Sequence, residues 1–221
     1  VTIFTNEDMI RLLPSPTYNT DFRLTPIFLK PLIEKYDCLV RLDADQIILG
    51  DLSYVVDGDF DVAVVQNSNP RDYRLHYFNT GQKLTIYDID PLDYVNCGFV
   101  VVKSKRFVNH WWSLINKPYF NNYQFREQDM LNILVRYFPY RVRYLDREDN
   151  NKWHGLIAKK YTPACILKDG RVMLPKNKEW PIDSDKQIMM YHYAGGEGVL
   201  KFKNKLLFTD EVSKFIDDLL K

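Results

Sequence analysis

Three short runs limit the folds open to this chain: CLVRL at 38–42, DVAVVQ at 61–66 and CGFVVV at 97–102. Each is apolar over nearly its whole length, which is the pattern of a strand buried on both faces. Helical patterns alternate with them. Residues 25–36 carry Ile27, Leu29, Leu32 and Ile33 on apolar faces, with Pro26 suited to a first turn and Pro31 expected to kink the helix. Residues 106–115 also read as helical. Over 127–138, Leu131, Leu134, Val135 and Phe138 recur at helical spacing behind an acidic first turn. Thr209 suits the N-cap of a last helix whose Val212, Phe215, Ile216, Leu219 and Leu220 form one stripe. Short buried strands alternating with helices imply an α/β domain with a mostly parallel, mixed central sheet flanked by helices. Residues 1–5 read as one more short strand, and 150–190 show no clear period.

Composition narrows the function. The 221 residues are 46% hydrophobic and 27% charged, enough for a large core and too apolar for a disordered chain. Thirty Lys plus Arg against 29 Asp plus Glu leave +1, so the basic excess of a nucleic-acid binder is missing. No run approaches the roughly 18 apolar residues of a membrane-spanning helix. No charged-then-apolar leader follows Val1, so a secretory leader is not expected, and a Val start leaves open that the chain is trimmed. Cys38, Cys97 and Cys165 form no C-x-x-C pair, which argues for structural thiols over a zinc site. Free thiols and the lack of an N-x-S/T sequon lean towards a reducing, cytoplasmic location.

Four constellations can carry chemistry. Asp43 and Asp45 follow a buried strand directly, at the strand end where open α/β sheets bind ligands. If the chain stays extended there, both carboxylates lie on one side and suit Mg²⁺ or Mn²⁺. An isolated D-x-D is usually only a polar strand end. His192 ends an apolar strand-like stretch and precedes Gly195 and Gly196, with Lys201 close behind. Glycines let backbone N–H groups approach a phosphate and a Lys adds a point charge, although hairpins use the same residues. Acids at 127 and 129 are ordinary dipole partners of a helix start, which leaves Gln128 between them unexplained. Asn96-Cys97-Gly98 heads the third apolar run and reads otherwise as a plain turn into the strand. The aromatic stretch around His110, Trp111 and Trp112 reads as core.

In this order the four constellations resemble the GT-A nucleotide-sugar glycosyltransferases, most closely glycosyltransferase family 8. The carrying motifs are Leu42-Asp43-Ala44-Asp45 followed by Gly50-Asp51-Leu52, then Asn96-Cys97-Gly98-Phe99, then Glu127-Gln128-Asp129-Met130-Leu131-Asn132, and last His192 to Gly195 with Lys201. Glu127 stands where the family has Asp, Lys201 lies further from its glycine than in the family and precedes Phe202, and fewer residues than usual precede Asp43.

The resemblance implies a single GT-A domain over 1–221, with a nucleotide-binding half at about 1–66, an acceptor-side half at about 67–203 and a C-terminal helix at 209–221. It implies metal-dependent transfer of a sugar from a nucleoside diphosphate, UDP, to a hydroxyl of a glycan or glycoconjugate, with retention at the anomeric carbon. Asp43, Asp45 and His192 would hold Mn²⁺, with Mg²⁺ as the alternative. Arg23, Ala44, Asn96, Cys97, Gly98, Gly195, Gly196 and Lys201 would bind the donor. Gln128 would face the anomeric carbon, with Asp129 as the nearest ionised alternative. An inverting transferase using Asp129 or Glu127 as base, a nucleotidyltransferase, and a non-catalytic binding module remain as other readings.

Overall fold

The computed structural model describes residues 25–43, 45–67, 93–117, 125–148, 151–155, 165–176, 185–192 and 208–219. In chain order its first elements are helix α1 (Thr25–Ile33), strands β1 (Leu39–Leu42), β2 (Gln46–Ile48), β3 (Val62–Gln66) and β4 (Val95–Val102), and helices α2 (Lys105–Ile115) and α3 (Glu127–Tyr137). Then follow β5 (Val142–Tyr144), the short helix α4 (Leu145–Glu148), β6 (Lys152–Trp153), β7 (Ile166–Lys168), β8 (Arg171–Leu174), β9 (Lys186–Ile188), β10 (Met190–His192) and α5 (Asp210–Leu219).

The central sheet has the order β1-β4-β3-β5. β4 pairs antiparallel with β1 and β3, and β3 pairs parallel with β5. Three strands therefore share one direction and β4 alone runs against them, which gives the mixed sheet expected of the sequence. Alternate side chains leave a strand on opposite faces. Val62, Val64, Val100 and Val102 accordingly join a core with Ile27, Phe107, Trp111, Leu131 and Leu134 from α1, α2 and α3. Ala63, Val65, Phe99 and Val101 face the other way and pack with Val55, Phe60, Leu145 and Met190. Trp111 is core, edge-on to Phe107 with ring centroids 6.0 Å apart, as the aromatic stretch suggested.

β1 departs from the two-sided burial expected of CLVRL: Val40 and Leu42 are 45% and 39% exposed. Both lie on one face of a strand at the edge of the sheet, while on the opposite face the Arg41 guanidinium reaches the Cys97 carbonyl and the Asp43 carboxylate.

The aperiodic stretch 150–190 contains a second sheet, β6-β9-β8-β7. β7 and β8 form a hairpin through Asp169 (φ 51°) and Gly170 (φ 69°), two left-handed residues in the pattern of a type I′ turn. The apolar run 187–191 is split, because Met189 changes partners. Its N–H donates to the Trp153 carbonyl (2.9 Å), its carbonyl accepts from Leu49 N–H (2.9 Å), and beyond it β10 pairs antiparallel with β2. On α5, Val212 and Ile216 are buried while Leu219 is exposed, so the stripe is narrower than expected. The Thr209 hydroxyl accepts from Val212 N–H at 3.5 Å, as its N-cap assignment requires. Among the described residues no helix is long and apolar enough to cross a membrane.

Candidate functional site

The site begins with a defect in β4. Its register with β3 passes from Val64↔Val100 to Val65↔Asn96, which leaves Cys97, Gly98 and Phe99 without counterparts on β3. Such a bulge strands backbone groups that must find other partners. Cys97 N–H donates to Gln128 Oε1 (3.0 Å) and Gly98 N–H to Asn96 Oδ1 (2.7 Å). The Gly98 carbonyl accepts from Asp43 N–H (2.8 Å), and the Cys97 carbonyl accepts from the Arg41 guanidinium. The bulge is thus fastened to the residue that follows β1.

β10 brings the third partner. His192 pairs with Gln46, directly after Asp45, so the ladder delivers the imidazole to the acids. His192 Nε2 lies 3.4 Å from Asp43 Oδ2 and 3.2 Å from Asp45 Oδ1. One ligand atom from each of the three side chains fits within 4.8 Å of the others. Asp43 lies just beyond β1 and Asp45 in a turn just before β2, so neither acid is part of a regular strand.

Burial disfavours charge on His192, but its bonds to Asp43 and Asp45 and their charges outweigh that and raise its pKa. Burial likewise opposes the Asp43 carboxylate, yet the His192 bond and the Arg41 charge hold its pKa below the ordinary value. Arg41 pairs with Asp43 Oδ1, which leaves Oδ2 turned to His192. Two carboxylates and an imidazole form an oxygen-rich donor set that suits Mn²⁺ or Mg²⁺. Gly98 completes the wall. A Cβ there would lie 2.4 Å from His192 Cε1, 2.6 Å from Asn96 Oδ1 and 2.7 Å from Asp43 Oδ2. Only a glycine lets the bulge approach this closely.

Helix α3 supplies the supporting layer. Asn132 accepts from Val95 N–H (2.8 Å) and donates to the carbonyls of Val95 (2.9 Å) and Gln128 (2.8 Å). Asp129 is buried and bonded to the Tyr94 hydroxyl (2.6 Å) and Phe125 N–H (2.8 Å). Burial pushes its pKa up to about 6 against those two bonds. Burial and the Asp129 charge keep the Tyr94 phenol protonated well above its usual range. Burial also raises the Cys97 and Cys165 thiols, the latter to about 12, so both are inert and structural.

The structure therefore brings Asp43, Asp45 and His192 together, with Asn96, Cys97 and Gly98 beside them and Gln128 against the bulge. Arg23, Ala44, Gly195, Gly196 and Lys201 lie outside the described residues. Sequence reasoning missed four groups. Arg41 was visible as a charge inside an apolar strand, and Asn132 closes the helix motif, but Tyr94 carried no signal. The fourth is a brace: Asp146 accepts from Gln66 N–H (2.7 Å) and His154 N–H (2.6 Å), and His154 Nε2 meets the Tyr54 hydroxyl. That brace anchors the segment that includes β6, whose pairing with β9 sets where β10 begins.

No protein-family model matches this sequence, and no curated protein does. Among solved structures, the galactosyltransferase LgtC in complex with donor and acceptor sugar analogues is similar over 97% of this chain and 72% of its own, at 16% identity and a TM-score of 0.52. An active-site mutant of LgtC is similar over 88% of this chain and 66% of its own, at 13% identity and a TM-score of 0.50. Identities this low speak for architecture alone. The chain has the fold of LgtC, the GT-A glycosyltransferase fold that its motifs resemble.

Proposed function

We propose that the chain is a metal-dependent glycosyltransferase that moves a sugar from a UDP-sugar to a hydroxyl of a glycan or glycoconjugate, with retention. The observation that carries this reading is the meeting of Asp43, Asp45 and His192 beside a Cβ-free bulge, in a fold shared with a galactosyltransferase. The barrier to transfer lies in breaking the bond between the anomeric carbon and the diphosphate oxygen. A divalent ion supplies neutralisation of the negative charge that grows on the diphosphate. Asp43, Asp45 and His192 would hold it, and the imidazole, softer than oxygen, favours Mn²⁺ over Mg²⁺.

The chain's own groups do the remaining work. Arg41 holds Asp43 Oδ1 and leaves Oδ2 on the His192 side, where it would serve as a ligand. Gly98, without a Cβ, lets the bulge close on His192 and Asp43. Asn96, whose Oδ1 is taken by Gly98 N–H, has its Nδ2 to donate to a sugar or acceptor hydroxyl. Arg23, Gly195, Gly196 and Lys201 are assigned to the sugar and the phosphates by resemblance. The Gln128 carbonyl, a weak nucleophile, accepts from Cys97 N–H with one lone pair, and its other would stabilise positive charge on the sugar ring while the acceptor attacks from the leaving-group side.

Isothermal titration of UDP with and without Mn²⁺ tests this. Binding that needs Mn²⁺ supports the reading, and UDP binding that is absent or indifferent to EDTA overturns it. NMR of the product anomer separates retention from inversion.

A further inference from the structure

Gln128 reaches the bulge at one end of a hydrogen-bond chain that runs in a single direction. Cys97 N–H donates to Gln128 Oε1 (3.0 Å), and Gln128 Nε2 donates to the Tyr94 hydroxyl oxygen (3.3 Å). The Tyr94 hydroxyl donates to Asp129 Oδ1 (2.6 Å), and Asp129 Oδ2 accepts from Phe125 N–H (2.8 Å). Tyr94, Gln128 and Asp129 are 0%, 8% and 1% exposed, so bulk water does not compete for these bonds.

An ionised carboxylate only accepts. The phenol proton must therefore point at Asp129, and a phenol lone pair is left for Gln128. The amide then has to present its NH₂ to the phenol and its carbonyl to Cys97. Rotated by half a turn, it would set Nε2 against the Cys97 N–H and Oε1 against the phenol oxygen. Donor would face donor and acceptor would face acceptor, both out of water. The charge on Asp129 thus selects which end of the amide meets the bulge.

We propose that Tyr94 and Asp129 are positioning residues of the donor pocket: they lock the Gln128 amide in the orientation that holds Cys97 N–H, and so seat the Asn96-Cys97-Gly98 bulge against His192 and Asp43. The inference rests on the reading of this site as the donor pocket, and it deepens that reading. It also takes Asp129 out of the reaction. Both its oxygens are engaged with protein donors, and a side chain 1% exposed does not reach an anomeric carbon.

The test is a double-mutant cycle with Tyr94→Phe and Gln128→Ala, read in two ways. Amide hydrogen exchange at Cys97, followed by NMR, needs no substrate. Loss of one buried hydrogen bond should speed it about tenfold in Tyr94→Phe, with Val100 and Val101 unchanged. In the transfer assay Tyr94→Phe should raise the donor KM about tenfold, yet add less than about twofold on top of Gln128→Ala, because it acts through that amide. Asp129→Asn keeps the shape and removes the charge that sets the direction, so it should also loosen Cys97. It serves as the second variant should Tyr94→Phe fold poorly.

Unchanged exchange at Cys97, equal acceleration along all of β4, or full multiplication of the two single-mutant effects each overturns the proposal. A wild-type protein without Mn²⁺-dependent UDP binding sinks the transferase reading instead, and leaves the exchange result to decide the hydrogen-bond chain by itself.

Discussion

Gly98→Ala isolates the contact on which the site's geometry depends. The new methyl would sit 2.4 Å from His192 Cε1 and 2.7 Å from Asp43 Oδ2. Ordinary contact starts at 3.4 Å, so the imidazole must retreat by about 1 Å (3.4 − 2.4) and the carboxylate by about 0.7 Å (3.4 − 2.7). Neither group is the loose end of a flexible chain. His192 is held by its place in the β10–β2 ladder, and Asp43 is tied to Arg41 and, through its N–H, to Gly98 itself. Overpacking of this kind costs about 1–3 kcal/mol of stability. Displacing a ligand by about 1 Å should lower Mn²⁺ affinity about 10²-fold, equivalent to about 2.7 kcal/mol. Titration calorimetry with Mn²⁺ in the presence of UDP measures the affinity, and urea unfolding measures the stability. Wild-type Mn²⁺ affinity in a folded Gly98→Ala protein would refute the reasoning, because the bulge would then not form the wall of the cluster.

Three further outcomes follow from particular contacts. Asn132→Ala strips the partners from buried backbone groups of Val95, and urea unfolding should show a loss of about 2–4 kcal/mol; a loss below about 1 kcal/mol contradicts the role given to α3. His192 has a pKa raised in the fold despite its burial, so its stabilisation is complete below its unfolded value of 6.5 and disappears as pH rises through the higher folded value. The melting temperature of metal-free protein should fall over that window and the fall should vanish in His192→Ala, whereas Mn²⁺ binding should strengthen there, because a metal takes the neutral imidazole. Gly170→Ala places a side chain at φ 69° with open space around it, and should cost roughly 1 kcal/mol in urea unfolding while Mn²⁺ affinity stays at the wild-type value.

The parts of the fold that were legible in the sequence are those set by local pattern. Val62–Gln66 and Val95–Val102 announce themselves as apolar runs, and Glu127–Tyr137 announces itself by helical spacing, because burial is dictated by side chains close along the chain. The two-residue and three-residue strands between 151 and 192 did not, since pieces that short hold no full period. The Asp169-Gly170 pair nonetheless carried a hairpin signal that went unread. At the site, the acids and His192 were legible by residue type at strand ends. What joins them was not. The β4 bulge arises from a register shift that no local pattern encodes, and its repair depends on Gln128, Arg41 and Asn96 arriving from three places in the chain. Tyr94 is one tyrosine among 15, and only the fold sets its hydroxyl between Gln128 and Asp129.

Crystals grown with Mn²⁺ and UDP, with anomalous data collected at the manganese edge, test the proposed metal site most directly. A single anomalous peak bonded to Asp43, Asp45 and His192 Nε2, with the diphosphate oxygens completing its coordination, is the expected result. UDP bound elsewhere, or a metal peak that leaves His192 against the two carboxylates without touching them, would contradict it.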